Sequence, residues 1–228
     1  MGNWRRMTGW GAIFLSVAFI ITAGASTARA NGEFDLSLGY AHAQLSGSAS
    51  PFDSRDGFRV EPRVSWAVGG DHSPLRLGFG LGMSGFERRT DDDAILIDDD
   101  GDVFVFDGDE VEALSFITPE FQISYRIPLG SHPEGERPKW FIEPGVSVGV
   151  IIGQYWVGES FGWWVDEDIS EWDATIAGRP FLRAGYQGDR WVFGLEGSYA
   201  FGGKLHFTDA IEGDVTEWYA GGFFGVKW

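Results

Sequence analysis

Residues 218–228, WYAGGFFGVKW, alternate large apolar side chains with small or polar ones up to the last position. Two Trp, one Tyr and two Phe fall within these eleven residues. Chain termini are usually poorly ordered unless another element holds them in place. On the two-residue period of a β-strand, one face carries Trp218, Ala220, Phe224, Val226 and Trp228. We therefore predict that this segment is a strand and that a neighbouring element fixes it.

The same alternation recurs in seven earlier segments. With the last one, the predicted strands are 34–45, 57–68, 74–86, 111–127, 139–156, 174–187, 191–201 and 216–228. Most have the roughly 9–11 residues that a tilted strand needs to cross a bilayer.

The predicted connections alternate in length. Residues 69–74 and 187–190 form short turns rich in Gly and Asp, and 128–138 is intermediate. The longer connections are 46–57, 87–112, 157–173 and 202–215. Short turns at one end and long loops at the other are typical of an outer-membrane β-barrel, with the turns in the periplasm.

The composition of the two strand faces indicates which face is inside. The charged face also carries Gly, Ala and Ser, which suits a crowded interior. Its charges nearly balance although the chain is acidic, as expected for confined charges that must pair. The predicted interior charge network is Arg59, Glu61, Arg63, Arg76, Glu120, Arg126, Glu143, Arg179, Arg183, Glu196 and Glu217. Ordinary cross-strand surface pairs and a soluble lipocalin-like barrel with its apolar face inward remain the alternatives.

Aromatic residues gather near both ends of the predicted strands. Beside the short turns lie Trp66, Tyr125, Trp140, Tyr186, Trp191 and Trp228. Beside the long loops lie Tyr155, Trp156, Tyr199, Phe201 and Trp218. Two such groups are typical of the aromatic girdles at the two interfaces of a membrane.

Residues 1–30 have the pattern of a secretory signal peptide. Arg5 and Arg6 precede an apolar stretch, and Ala28 and Ala30 suit an A-x-A cleavage site. We expect cleavage before Asn31 and a single domain over 31–228, with an uncleaved anchor as the alternative.

The mature chain would carry 14 basic and 34 acidic residues, a net charge of −20, which argues against a nucleic-acid partner. Without cysteine it has neither disulfides nor thiolate sites.

The layout resembles the OmpA/OmpX-type outer-membrane barrels over essentially the whole mature chain. In that family the last strand alternates apolar residues, usually ends in Phe, and is read by the barrel-assembly machinery. The resemblance implies the same assembly signal in Phe224, Val226 and Trp228, with Trp in place of Phe.

The expected fold is therefore an all-β, eight-stranded antiparallel up-and-down transmembrane β-barrel. Because lipid offers no hydrogen bonds to open sheet edges, the last strand must pair with the first. We expect a monomer in the cell outer membrane, in contact with outer-membrane lipid and lipopolysaccharide.

No sequence pattern identifies a catalytic, cofactor or metal site. His72 and His132 lie in turns, and His42 lies near the outer end of the first strand. His206, close to Thr208, is a poor approximation to a nucleophile, base and orienting acid. We expect no enzyme activity and no cofactor.

The acidic stretch 91–110 is the most unusual segment. Aligning Gly101 with the turn glycine of a calcium loop puts Leu96 at the first ligand position and Asp107 at the last, so the motif is incomplete. Binding of divalent cations at the acidic loops stays open. We favour a hairpin of AILI (94–97) and VFVF (103–106) with 98–102 at its tip.

The expected role is structural or surface interaction through acidic extracellular loops. A narrow channel or small-solute transporter and a lipid A-modifying enzyme are the alternatives, since one fold hosts many functions. Eight strands enclose only enough room for side chains, which argues against a large channel.

Overall fold

In the computed structural model, the described residues are 32–46, 55–69, 73–89, 94–97, 103–106, 110–130, 139–161, 164–208 and 211–228. The predicted signal peptide, residues 1–30, lies outside them. All regular elements in these ranges are strands. None of the described segments is a helix with the length and apolarity needed to cross a membrane.

Eleven strands follow one another along the described chain. They are β1 (Gly32–Ser46), β2 (Arg55–Ala67), β3 (Leu75–Arg89), β4 (Ala94–Ile97), β5 (Val103–Phe106), β6 (Glu110–Tyr125), β7 (Ile127–Leu129), β8 (Trp140–Phe161), β9 (Trp164–Gln187), β10 (Trp191–Thr208) and β11 (Ile211–Lys227). β7 continues β6 after a break at Arg126 and pairs with β8. The other long strands form the barrel wall, while β4 and β5 form a separate two-stranded sheet.

The barrel is closed and all its pairs are antiparallel. Neighbouring strands follow the order β6-β3-β2-β1-β11-β10-β9-β8, and β8 returns to β6. β1 and β11 pair in unbroken register from Glu33 opposite Lys227 to Ser46 opposite Asp214. The predicted eight-stranded barrel, with its first and last strands joined, is confirmed.

The last residue is held by this seam. The backbone N–H of Trp228 donates a hydrogen bond to the carbonyl of Gly32 at 3.0 Å. A Cβ on Gly32 would overlap the Trp228 ring, so only glycine lets the indole lie across the start of β1.

The strands are strongly tilted. Following paired residues once around the barrel from Phe181 leads back to Glu171, ten residues earlier on β9. Ten residues of about 3.3 Å against eight spacings of about 4.8 Å give a tilt of about 40°. This tilt lies within the range of membrane barrels.

Several predicted loops are mostly strand, which corrects the sequence analysis. β8 and β9 continue through nearly all of 157–173, and β10 and β11 through most of 202–215. Beyond the membrane the outer face of a strand no longer has to be apolar, so the lipid-facing pattern ends while pairing continues. In the predicted loop 87–112, β4 pairs with β5 from Ala94 opposite Phe106 to Ile97 opposite Val103, which confirms that hairpin.

The outer surface of the wall is apolar. Leu38, Ile176 and Leu195 are 57%, 71% and 71% exposed, although large apolar side chains normally fill the interior of a soluble domain. The soluble lipocalin-like alternative is therefore wrong for this chain.

Aromatic side chains flank the apolar belt at both ends. Near the periplasmic end the ring centroids of Trp191 and Phe224 lie 5.2 Å apart, and near the other end those of Tyr40 and Trp218 lie 5.1 Å apart. Tyr155, predicted in the outer girdle, instead points into the barrel and is fully buried. The side chain of Trp156 lies outside the described set.

Candidate functional site

The structure places all eleven residues of the predicted charge network inside the barrel, where each is at most 8% exposed. Arg55, Glu33 and Asp35 join them, so the described interior holds seven Arg and seven carboxylates. Asp35 was already on the charged face of its strand. Glu33 shares that parity but lies one residue before the predicted strand, and Arg55 fell in a predicted loop.

Arg59 is the centre of the upper part of this network. Its guanidinium contacts Glu61 at 3.0 Å, Glu120 at 2.6 Å and Glu217 at 3.3 Å. Arg179 bridges two of these carboxylates, with Glu120 at 2.9 Å and Glu217 at 2.7 Å. These residues come from β2, β6, β9 and β11, so the network ties distant parts of the wall together.

The network continues downward without interruption. Arg63 contacts Glu61 and Glu196, both at 2.8 Å. Arg183 then joins Glu196 at 3.2 Å to Asp35 at 2.7 Å. Each buried charge in this chain of contacts has an opposite charge within reach, which offsets the cost of removing it from water.

A second group lies nearest the periplasm. Arg126 contacts Glu33 at 2.8 Å and Glu143 at 2.5 Å, and Arg76 lies 3.4 Å from Glu33. The guanidinium of Arg126 also sits 4.2 Å from the centroid of the Phe141 ring. Stacking on an aromatic face stabilises a desolvated cation.

Glycines make room for the buried charges. A Cβ on Gly82 would overlap the guanidinium of Arg59. One on Gly80 would lie 2.7 Å from Oε1 of Glu61 and 2.9 Å from Nε2 of Gln122. The Gly residues that alternate with charged residues along these strands thus leave room for the long charged side chains.

Above Arg59 the lumen is mostly apolar, with Arg55 level with Ala43. The upper apolar cluster consists of Ala41, Ala43, Leu45, Phe86, Leu114, Phe116, Ile151, Tyr155, Ala177, Leu205, Phe207 and Val215. All are at most 5% exposed. This cluster was not predicted from the sequence, because its members lie in predicted loops or on the strand face assigned to charges. The two layers lie one above the other along the barrel axis.

The two described histidines each contact a carboxylate. His42 Nδ1 lies 2.7 Å from Asp56 Oδ1, to which the Tyr40 hydroxyl also donates. His206 Nδ1 lies 3.1 Å from Glu212, which Lys204 contacts at 2.6 Å. In this part of β11, beyond the membrane, hydrogen bonds from Lys204 and then His206 lower the pKa of Glu212.

The contacts of His42 do not form the arrangement expected of a hydrolase, because the hydroxyl of Tyr40 donates to Asp56 rather than to the imidazole. His72, His132 and the side chain of Thr208 lie outside the described set. The absence of enzyme activity stays a prediction.

Metal binding at the acidic loop is likewise untested. Within the described ranges no three His, Asp or Glu side chains are grouped as a metal site would require. Residues 98–102, with Gly101, fall outside those ranges, so divalent-cation binding there stays a prediction.

The predicted assembly signal lies on the outward face of β11. Phe224, Val226 and Trp228 are 53%, 38% and 40% exposed. Their recognition by assembly machinery stays a prediction.

Charge is distributed unevenly along the barrel axis. By position in the sequence, four segments at the extracellular strand ends (47–56, 87–112, 156–175 and 203–215) hold 23 of the 34 acidic residues but four of the 17 Lys and Arg. The remainder of 31–228 has 11 acidic and ten basic residues. Nearly all the net negative charge therefore belongs to the extracellular end.

The sequence matches no protein-family profile and no curated protein. Among solved structures, it is similar to Neisserial surface protein A (NspA), with a TM-score of 0.51 and 12% identity over 86% of this chain and 97% of that one. Ail of Yersinia pestis aligns with a TM-score of 0.46 and 13% identity over 86% of this chain and 99% of that one. The outer membrane protease OmpT of Escherichia coli aligns with a TM-score of 0.46 and 9% identity over 87% and 97%.

At such low identity the likeness to NspA shows the fold alone, and that fold is an outer-membrane β-barrel. The structure of this chain supplies the physical reason for its location. A closed wall satisfies its backbone hydrogen bonds internally, and an apolar belt faces outward, as a bilayer requires. The chain is a protein of the cell outer membrane.

Proposed function

We propose, from the premise of an outer-membrane barrel, that this protein is a surface-interaction protein whose acidic extracellular end binds cationic partners. The observation that carries the proposal is the concentration of 23 of the 34 acidic residues in the segments at that end. A field of one sign attracts ligands of the opposite sign and speeds their association.

The packed lumen supports a function on the surface rather than through the barrel. Charged pairs and the upper apolar cluster occupy the space that a solute would need. The narrow-channel alternative predicts single-channel steps in a planar bilayer, and the proposal predicts none. A lipid A-modifying enzyme would instead change the lipid A mass profile when overexpressed.

The same packing supports a rigid binding platform. The upper apolar cluster lies inside the part of the barrel where the strands continue beyond the membrane. The longest of these strands are β8, with 22 residues, and β9, with 24. Buried contacts of this kind hold an extended sheet in one conformation, which reduces the entropy lost on binding. Surface residues of the platform include Glu171 and Trp172.

A binding experiment with a simple cation tests the proposal. The protein in nanodiscs of zwitterionic lipid is titrated with fluorescent octalysine, with octaglutamate as the charge-reversed probe. We expect octalysine alone to bind, with affinity falling at least tenfold between 50 and 500 mM NaCl as charges are screened. Equal binding of both probes, or none of either, would overturn it.

A matched pair of variants locates the effect. Asp166→Asn with Glu167→Gln and Asp168→Asn removes three acids from the extracellular end. Glu134→Gln with Glu136→Gln and Asp189→Asn removes three from the periplasmic end. Only the first set should weaken octalysine binding. The contacts with lipopolysaccharide and assembly machinery, and the monomeric state, stay predictions.

A further inference from the structure

A carboxylate lies beside aromatic rings on the outer face of the barrel, at the level of the extracellular girdle. His42 Nδ1 lies 2.7 Å from Oδ1 of Asp56, and the Tyr40 hydroxyl donates a hydrogen bond to the same oxygen. The centroid of the Trp218 ring lies 5.1 Å from that of Tyr40 and 5.5 Å from that of His42. These four residues of β1, β2 and β11 form the girdle cluster.

The girdle cluster leaves one carboxylate oxygen open to a ligand. The side chain of Asp56 is 70% exposed, and its Oδ2 has no hydrogen-bond partner among the residues that the structure describes. An exposed carboxylate is ionised at neutral pH, and the Tyr40 hydroxyl and a neutral His42 orient it without cancelling its charge. A cation at Oδ2 would lie beside aromatic rings, whose faces attract positive charge.

An apolar groove runs down the wall directly below the girdle cluster. Its floor includes the outward positions Ala220 and Gly222 of β11. Gly222 pairs with Leu38 on one side and with Leu195 on the other, and these leucines are 57% and 71% exposed. The two leucines belong to strands two spacings apart, about 10 Å, which leaves room for one hydrocarbon chain between them.

Packing within the barrel does not require the groove to be empty. Chain neighbours apart, a Cβ on Gly222 would meet only the carbonyl oxygen of Gly194, at 3.6 Å. One on Gly197, which pairs with Ala220 and widens the floor, would meet only that of Tyr219, at 3.8 Å. The groove is therefore open towards the lipid.

The polar and apolar parts lie in the order of a membrane lipid, with the girdle cluster at the level of the head groups and the groove at that of the acyl chains. We infer that this face binds one lipid whose head group ends in a primary ammonium. The ammonium donates a hydrogen bond to Oδ2 of Asp56, and one acyl chain lies in the groove over Ala220 and Gly222. The inference goes beyond the proposed function, because the site is on the lipid-facing wall.

Other occupants fit this site less well. A divalent cation takes several oxygen ligands, whereas no second acid is grouped with Asp56 in the described ranges. A quaternary ammonium has no N–H to donate to Oδ2, and an anionic head group would be repelled. A second copy of the barrel would bring two acidic extracellular ends side by side.

Native mass spectrometry of the protein in detergent tests the inference. The probe is dioleoylphosphatidylethanolamine, and the same lipid with an acetylated amine keeps both chains but loses the ammonium. The titration is run at pH 8, so that a protonated His42 does not compete for Asp56. We expect the first amine lipid to bind about tenfold more tightly than the acetylated one. Equal affinities would overturn the inference.

A variant of the carboxylate tests the head-group contact. Asp56→Asn should reduce the preference for the amine lipid to about twofold or less, because the amide carries no charge. Asp214→Asn is the matched control, since Asp214 is also exposed on the outer face but lies above the groove on β11. Equal losses of preference in the two variants would assign it to net charge and overturn the inference.

A variant of the groove tests the acyl-chain contact. Gly222→Leu should weaken binding of both lipids about tenfold, because its side chain occupies the groove. Gly85→Leu is the control, since a Cβ at this outward position on β3 meets nothing within 4 Å and lies outside the groove. Heat-dependent gel mobility shows that each variant barrel is folded. Unchanged lipid binding by Gly222→Leu would overturn the inference, and so would a dimer that this variant abolishes.

Discussion

The lower and upper parts of the lumen differ in chemistry. Towards the periplasm, Arg and carboxylate side chains interlock between glycines, beside a small apolar group of Phe141, Val192 and Phe223. Towards the extracellular end, Phe, Leu, Val and Ala pack together, with Arg55 level with Ala43. The change is abrupt: inward positions on β11 pass from Glu217 to Val215, and those on β3 from Ser84 to Phe86. One tube therefore contains two kinds of core.

The surroundings of the wall explain the difference. In the membrane the outside is apolar, so a charged inside gives each strand two unlike faces and fixes its register. Beyond the membrane the outside is water, and the hydrophobic effect again drives apolar residues inward. The stability of an ion network depends on the geometry of its contacts, whereas that of an apolar core depends mainly on how well its volume is filled. The two layers should therefore respond differently to mutation.

The largest expected effect is in the charged layer. Arg59→Met removes the cation that Glu61, Glu120 and Glu217 share. Arg63 and Arg179 still contact these carboxylates, but the network then has one buried negative charge too many, which costs about 4 kcal/mol. Urea unfolding in detergent, followed by Trp fluorescence, measures the loss. Adding Glu217→Gln should recover part of it; a single-variant loss below about 1 kcal/mol would contradict an essential network.

The apolar layer should be next most sensitive. Leu205 is fully buried in the upper apolar cluster, and Leu205→Ala leaves a cavity that costs about 3 kcal/mol. The same unfolding experiment measures it. Leu205→Met should be tolerated much better because volume is nearly conserved, and equal losses for Ala and Met would argue against packing as the cause.

A glycine substitution tests the space reserved for charge. Gly82→Val should cost about 2 kcal/mol, because its side chain competes with the guanidinium of Arg59. Gly85→Val, on the same strand, is the control, since a Cβ there meets nothing within 4 Å. Similar unfolding midpoints for the two variants would show that crowding at Gly82 is relieved without cost.

The smallest effect concerns the exposed contacts above both layers. The depressed pKa of Glu212 means that its contribution to stability is present at neutral pH and lost as pH falls through that pKa. Lys204→Gln should raise the pKa of Glu212 towards its ordinary value. A carbon-13 NMR titration of the carboxyl group measures this shift, and an unchanged titration would exclude Lys204 as its main cause.

The membrane part of this fold was predictable because lipid imposes a strict pattern. Leu77 and Phe79 alternate with Arg76, Gly78 and Gly80, so one face had to meet lipid and the other the lumen. The same logic required the first and last strands to pair. It also placed Arg59 and Glu217 on the inward face, although it gave no partners or distances.

The extracellular part was harder to predict because water imposes no such contrast. Parity puts Phe116 and Arg126 on the same inward face, but it does not say that this face changes from charged to apolar along the strand. Tyr155 was placed in the outer girdle because it lies beside a long loop, although its parity with Glu143 puts it on the inward face. Residues 157–173 pair as strands but show no apolar alternation in the sequence, so this segment was predicted to be a loop.

The seam between β1 and β11 has a consequence for biogenesis. It joins Glu33 to Lys227, partners at opposite ends of the described chain. Contacts between such distant positions form slowly because much chain entropy is lost before they are made. Until β1 and β11 pair, both edges of the sheet expose backbone groups that lipid cannot satisfy. A partly assembled chain therefore cannot persist in the membrane as a closed barrel with fewer strands.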